Sequence, residues 1–145
     1  MRLTSVIILA IVLTSCQGTD TGVGNAPASL PFVKSLHVGQ SFQLPHDGSI
    51  IKFERVTQDS RCPAGAMCLW EGDGAAQLSI MDLVSPARDC TLHTTLGPRF
   101  VVIDSVSVSM KGLTPYPKIN EETLPSSYVI TLQIDTSNGA RWEKE

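Results

Sequence analysis

The chain has 145 residues, with eleven lysines and arginines against fourteen aspartates and glutamates, for a formal net charge of −3. That length suits one domain with a real core and does not comfortably hold two. A negative balance with no basic run or stripe removes the electrostatic footprint of a nucleic-acid binder.

In chain order, Met1 and Arg2 precede Leu3 to Leu13, a short, almost uncharged apolar run. A spanning helix needs about 20 apolar residues to cross a hydrocarbon core of roughly 30 Å. Here polar Thr14, Ser15, Cys16 and Gln17 arrive too soon, so residues 1–15 read as a signal peptide. The tetrad Leu13-Thr14-Ser15-Cys16 resembles the lipobox of bacterial lipoproteins. That resemblance implies cleavage before Cys16, diacylation through its sulfur and, commonly, acylation of the new amine. Two or three acyl chains anchor stably at about 0.8 kcal/mol per buried methylene, where one chain alone binds only marginally. The expected address is the cell envelope. Because Gln17 and not aspartate follows the cysteine, family practice implies the outer membrane, facing the periplasm, if the cell is Gram-negative. The alternative is an ordinary secretory signal with an incidental cysteine. Residues 16–29 carry Gly18, Gly22, Gly24 and Pro27 without apolar period, and are expected to form a flexible tether with a reach of about 20 Å.

Period-two alternation, the mark of half-buried strands, recurs through the rest. Leu36, Val38, Phe42 and Leu44 share one face, with His37, Gly39, Ser41 and Gln43 on the other. Pro45-His46-Asp47-Gly48 then supplies a hairpin turn, and Ile50, Ile51, Phe53 and Val56 begin the return. Ala76, Leu78 and Ile80 alternate up to a break at 85–89, and a short strand is expected over Cys90 to Leu96. Further strands are expected over Phe100 to Met110 and Tyr128 to Ile134. No helical period competes. The reading is an all-β single domain over 30–135, an antiparallel β-sandwich or partly open barrel of six to eight strands, with 136–145 as a polar tail. The proline-rich stretch 113–125 is too long for a tight hairpin. It either crosses the end of the sandwich and packs Tyr116 down, or forms a binding loop around Pro115, Tyr116 and Pro117.

With Cys16 assigned to lipid, Cys62, Cys68 and Cys90 remain in an oxidising compartment, and three cannot all pair within one chain. The economical bridge is Cys62 to Cys68. Cys90 then reads as a small buried hydrophobe sharing a face with Leu92, Thr94 and Leu96; exchange with Cys62 or Cys68, or an intermolecular bridge, stays open.

The stretch Asp59-Ser60-Arg61-Cys62-Pro63-Ala64-Gly65-Ala66-Met67-Cys68-Leu69-Trp70-Glu71-Gly72 resembles the signature of a bacterial family of small secreted or lipid-anchored β-domains without an established activity. Gly39-Gln40, Pro115-Tyr116-Pro117 and Tyr128 extend the resemblance over about 36–134. The family brings no reaction with it, and Cys90 lies outside its pattern. Physically, the motif reads as architecture. The bridge cinches a turn shaped by Pro63 and Gly65, Trp70 is expected to cover the bridge, and Arg61 can offer its planar fork to Asp59, Glu71 or a loop carbonyl.

Chemistry-bearing residues are sparse in pattern. His37, His46, His93, Cys90 and Met67 lack metal-ligand spacing, and copper is the residual metal alternative. No Gly-x-Ser-x-Gly elbow appears. Glu71, Asp73, Glu121 and Glu122 read as solvated loop charges and not as a glycosidase pair, and Glu71-Gly72-Asp73-Gly74 lacks the ligand series of a calcium loop. The reading is a non-enzymatic binding or structural module with no catalytic residues, metal or cofactor. Its partners are the membrane, through Cys16, and an envelope protein or small ligand. The rivals are an envelope hydrolase or a copper protein whose site is assembled from distant residues.

Overall fold

The computed structural model describes residues 29–45, 47–82 and 85–137. Cys16 with its lipobox, residues 16–28 of the expected tether, His46 and residues 138–145 of the tail lie outside the described residues. Eight strands follow in order: β1 (Phe32–His37), β2 (Ser41–Gln43), β3 (Ile50–Asp59), β4 (Gly74–Met81), β5 (Arg88–His93), β6 (Phe100–Ile103), β7 (Val106–Thr114) and β8 (Val129–Thr136). They form two four-stranded antiparallel sheets, ordered β1-β8-β7-β6 and β2-β3-β4-β5. The sheets pack as a sandwich and do not close into a barrel.

The alternation that marks the strands also builds the core. On β8 and its lead-in, Tyr128, Ile130, Leu132 and Ile134 are buried; they meet Phe53, Leu78 and Ile80 of the other sheet in one cluster. Facing sheets interdigitate in this way because successive side chains point to opposite faces.

Three boundaries differ from expectation, each for a local reason. The 36–44 alternation is continuous in sequence but belongs to two sheets: β1 pairs with β8 and β2 with β3, and the chain changes sheet at Gly39, whose φ of +85° suits only glycine well. The Phe100 to Met110 run is a hairpin and not one strand, turned at Asp104 with φ +49°. The strand expected over Cys90 to Leu96 is β5, shifted to Arg88–His93, and Leu96 is 51 % exposed in the loop beyond it.

The register fixes which loops share an end. Phe32 lies opposite Ile134 and Ile134 opposite Val108, while His37 lies opposite Val129 and Val129 opposite Thr114. The chain therefore enters β1 and leaves β8 at one end, with the β2–β3, β4–β5 and β6–β7 turns. The opposite end holds three longer connections: a cysteine loop (60–73), the β5–β6 loop (94–99) and a proline loop (115–128).

Candidate functional site

The cysteine loop is closed by Cys62–Cys68, with Cα atoms 6.0 Å apart. Its roots continue the β3–β4 ladder. Ser60 N–H donates to Asp73 O at 2.7 Å and Cys62 N–H to Glu71 O at 2.8 Å. Gly72 sits between them at φ +74°, where an added Cβ would lie 1.9 Å from Ser60 O, so only glycine allows the two backbones to approach.

Two carboxylates at those roots, Asp73 buried and Asp59 largely shielded, tie the loop to its neighbours. Asp59 receives Arg61 through both oxygens, Nε to Oδ1 at 2.8 Å and Nη2 to Oδ2 at 2.6 Å; their side chains are only 9 % and 6 % exposed. Arg61 also donates to Leu113 O and, at 2.9 Å, to Pro115 O, and its guanidinium lies 4.9 Å from the Tyr116 ring centre. Tyr128 O–H donates to Asp59 Oδ2 at 2.9 Å. Burial alone would raise the Asp59 pKa, but the hydrogen bonds from Arg61 and Tyr128 and the Arg61 charge outweigh it and hold the carboxyl below its usual range. For Tyr128, burial and the neighbouring carboxylate push the phenol up. One ion pair thus joins β3, the proline loop and the start of β8.

Asp73 serves the other side. Its Oδ1 accepts from Thr95 N at 2.9 Å, Leu96 N at 3.2 Å and Thr94 Oγ1 at 3.1 Å, and its Oδ2 lies 2.6 Å from His93 Nδ1. Burial again works to raise this carboxyl, yet the His93 hydrogen bond and the three loop donors bring it down to about 2. Because the carboxylate is ionised, His93 Nδ1 carries the proton and donates. The expectation of a solvated Asp73 and a plain surface His93 is corrected here. Asp73 is 3 % exposed, and it organises the turn after β5. Nothing local in sequence marks it, since its partners stand twenty or more positions away.

Other expected residues fall out as follows. Pro115, Tyr116 and Pro117 lie in the proline loop, which the cysteine loop holds by Ala64 N–H to Pro117 O at 2.8 Å. Tyr116 stays 47 % exposed, half packed on Arg61. Pro63 and Gly65 lie inside the bridged loop, with Gly65 at φ +87°. Trp70 does not roof the bridge as expected: it is 58 % exposed and Cys68 is itself open to solvent. Cys90 is a free, half-buried thiol packed against the core opposite Leu78, and burial pushes it up to about 11, so it is protonated at neutral pH. His37 is exposed on β1.

Two clefts open at this end. One, of about 260 Å³, is lined by Arg61, Glu71, Thr94, Thr95, Leu113 and Tyr116 among others. The second, of about 220 Å³, lies in the proline loop between Tyr116 and Leu124. Beside them the surface is apolar. Met67 and Leu69 are fully exposed, and Trp70, Leu96, Tyr116, Ile119 and Leu124 are each about half exposed or more. Of the large apolar side chains exposed among the described residues, only Val33 and Met81 lie elsewhere. Scattered exposed apolar residues are ordinary, whereas a cluster marks a contact surface.

Among the described residues no three of His, Cys, Asp and Glu gather as a metal site would need, and no helix is long and apolar enough to cross a membrane. No family model, curated protein or solved structure matches this chain.

Proposed function

We propose that this protein is a lipid-anchored module of the bacterial cell envelope whose loop end is a non-enzymatic binding surface. The anchor rests on Leu13-Thr14-Ser15-Cys16 at the end of a short apolar run. The binding role rests on one observation: the exposed apolar side chains gather at one end, on loops braced by a disulfide and by the Asp59 and Asp73 hydrogen-bond networks. Order established before contact lowers the entropic cost of binding, which suits recognition. Detergent partitioning and intact mass of the wild type beside Cys16→Ser test the anchor; acyl mass and detergent-phase recovery are expected for the wild type alone. After mild cross-linking in the native envelope, a complex that forms with the wild type and is lost with Leu69→Ser/Trp70→Ser is expected for the binding surface.

A second reading has one observation behind it. A histidine oriented by a buried aspartate is the base-and-orienter half of a hydrolytic triad, and His93–Asp73 stands beside Thr94 and Thr95, which line the larger cleft. Among the described residues no hydroxyl or thiol is bonded to His93 Nε2, while Asp73 also accepts from the 94–96 turn, which supports the structural role for the pair. Turnover of ester substrates by the wild type that His93→Ala abolishes would restore the hydrolase.

A further inference from the structure

We infer that Met67 is an oxidation site of this protein: a peroxide converts its thioether to the sulfoxide while the domain stays folded, and that position of the cysteine loop changes from apolar to polar. The inference stands apart from the binding role, because it requires only that the loop tip meet solvent.

The sulfur atoms of the described residues differ in what they offer an oxidant. Cys62 and Cys68 are already joined to each other. Cys90 keeps a free thiol, but it is half-buried against the core and burial pushes it up to about 11, so the reactive thiolate is scarce at neutral pH. Three methionines remain, and their exposure spans the whole range. Met110 is 4 % exposed within the core cluster, Met81 at the end of β4 is 37 % exposed, and Met67 is fully exposed. A thioether has no proton to lose, so access ranks the three.

The loop explains why Met67 can react while the fold is kept. The backbone on either side of it is held by other groups: Ala66 N–H donates to Pro63 O at 2.9 Å, Cys68 is bonded to Cys62, and Cys62 N–H donates to Glu71 O at 2.8 Å. The Met67 side chain is fully exposed, so an added oxygen stays in water and breaks no packing. At Met110 the same oxygen would enter a close-packed apolar interior, where a polar atom is costly without a hydrogen-bond partner.

The chemistry balances with hydrogen peroxide as the sole co-reactant. The sulfur lone pair attacks one peroxide oxygen, and the S–O bond forms as the O–O bond breaks. The departing hydroxide takes the proton from the new S–OH group and leaves as water. Sulfur is oxidised by two electrons and the peroxide is reduced by two. The product is a polar sulfoxide in the loop that carries Leu69 and Trp70, both exposed. One fold therefore presents this loop in two chemical states.

The test exposes the folded full chain to hydrogen peroxide at neutral pH and follows the gain of one oxygen in each methionine peptide by mass spectrometry. Met67 should oxidise about tenfold faster than Met110 or more, with Met81 between them, since Met110 reacts only when the fold opens. In denaturant, where access is equal, the three rates should agree within about twofold. Protein oxidised at Met67 should unfold at the same denaturant concentration as untreated protein. Met67→Leu should remove the fastest phase and leave the rates at Met81 and Met110 unchanged. Equal rates at Met67 and Met110 in the folded protein, a preference for Met67 that persists in denaturant, or a lowered unfolding midpoint after oxidation at Met67 each overturns the inference.

Discussion

The two ends of the sandwich are built by different means. At the entry end the chain reverses in short turns, and local devices suffice: in the β2–β3 hairpin Asp47 Oδ1 accepts from Ser49 N at 2.9 Å, and Gly48 takes φ +76°. At the other end three long loops contain local turns too, such as Ala66 N–H to Pro63 O at 2.9 Å and Ser127 N–H to Leu124 O at 2.9 Å, but these do not join one loop to the next. The loops are held by groups distant in sequence, with Asp59 and Arg61 reaching Leu113, Pro115 and Tyr128, and Asp73 reaching 93–96. Turns reverse a chain with a few backbone torsions, whereas long loops stay ordered only if buried polar groups hold them. Among the described residues, the side-chain hydrogen bonds that join one long loop to another are found at that end.

Arg61→Ala breaks this contrast most directly. It leaves Asp59 buried beside a proline loop whose carbonyls have lost their donor, and stranding one member of a buried pair costs about 3–5 kcal/mol. Denaturant unfolding should show a loss of that order. A charge-removing change at the entry end, Asp104→Asn, should stay within about 0.5 kcal/mol, since Asp104 is exposed and asparagine tolerates positive φ. Equal losses at the two positions would erase the distinction between the ends.

Acid should loosen the loop end through Asp73. Its folded pKa is depressed from 3.8 to about 2, so its contribution is complete above about pH 4 and is lost as the pH falls from about 4 toward 2. A shift of that size corresponds to about 2 kcal/mol. Unfolding free energy followed across that window should decline for the wild type and decline less for Asp73→Asn, whose amide can still accept from the loop amides but carries no charge. An identical pH slope in the two proteins would mean that the 94–96 turn does not depend on the ionised carboxylate.

These partners explain what was legible in the sequence. Strand periodicity is local, so Leu36, Leu44, Val108 and Leu132 announced their burial, and the Cys62–Cys68 pairing followed from arithmetic and a short loop. The sheet change at Gly39 was hidden because alternation continues through it. Arg61 was suspected for its fork, but Leu113 and Pro115 are more than fifty positions away, and Asp73 looked like any glycine-flanked loop acid. Trp70 misled because large apolar residues usually face inward, and a loop has no period to say otherwise.

Removing the bridge with Cys62→Ala/Cys68→Ala should cost roughly 2 kcal/mol by chain-entropy reasoning for a loop of this size. Set against a typical total of about 5–15 kcal/mol, this should lower the melting temperature and leave the fold intact. Cys90 should remain unlabelled by thiol reagents until unfolding, because its thiol is half-buried and protonated. A double variant that fails to fold would make the bridge part of the core and not a brace on one loop.

The smallest expected effect on stability is the most telling for function. Leu69 has no buried surface to lose, being fully exposed, and Met67 is the same. Leu69→Ser and Met67→Ser should therefore change unfolding free energy by no more than about 0.5 kcal/mol, where a core leucine would cost several. If the loop tip existed for the fold, its apolar side chains would have to contact something within the fold, and their removal would register. A measured loss near 2 kcal/mol for Leu69→Ser would show that the tip packs in solution and is not presented. A loss near zero leaves an apolar tip that the fold does not use, on a loop closed by a disulfide and tied to its neighbours through Asp59 and Asp73, and therefore available to a partner.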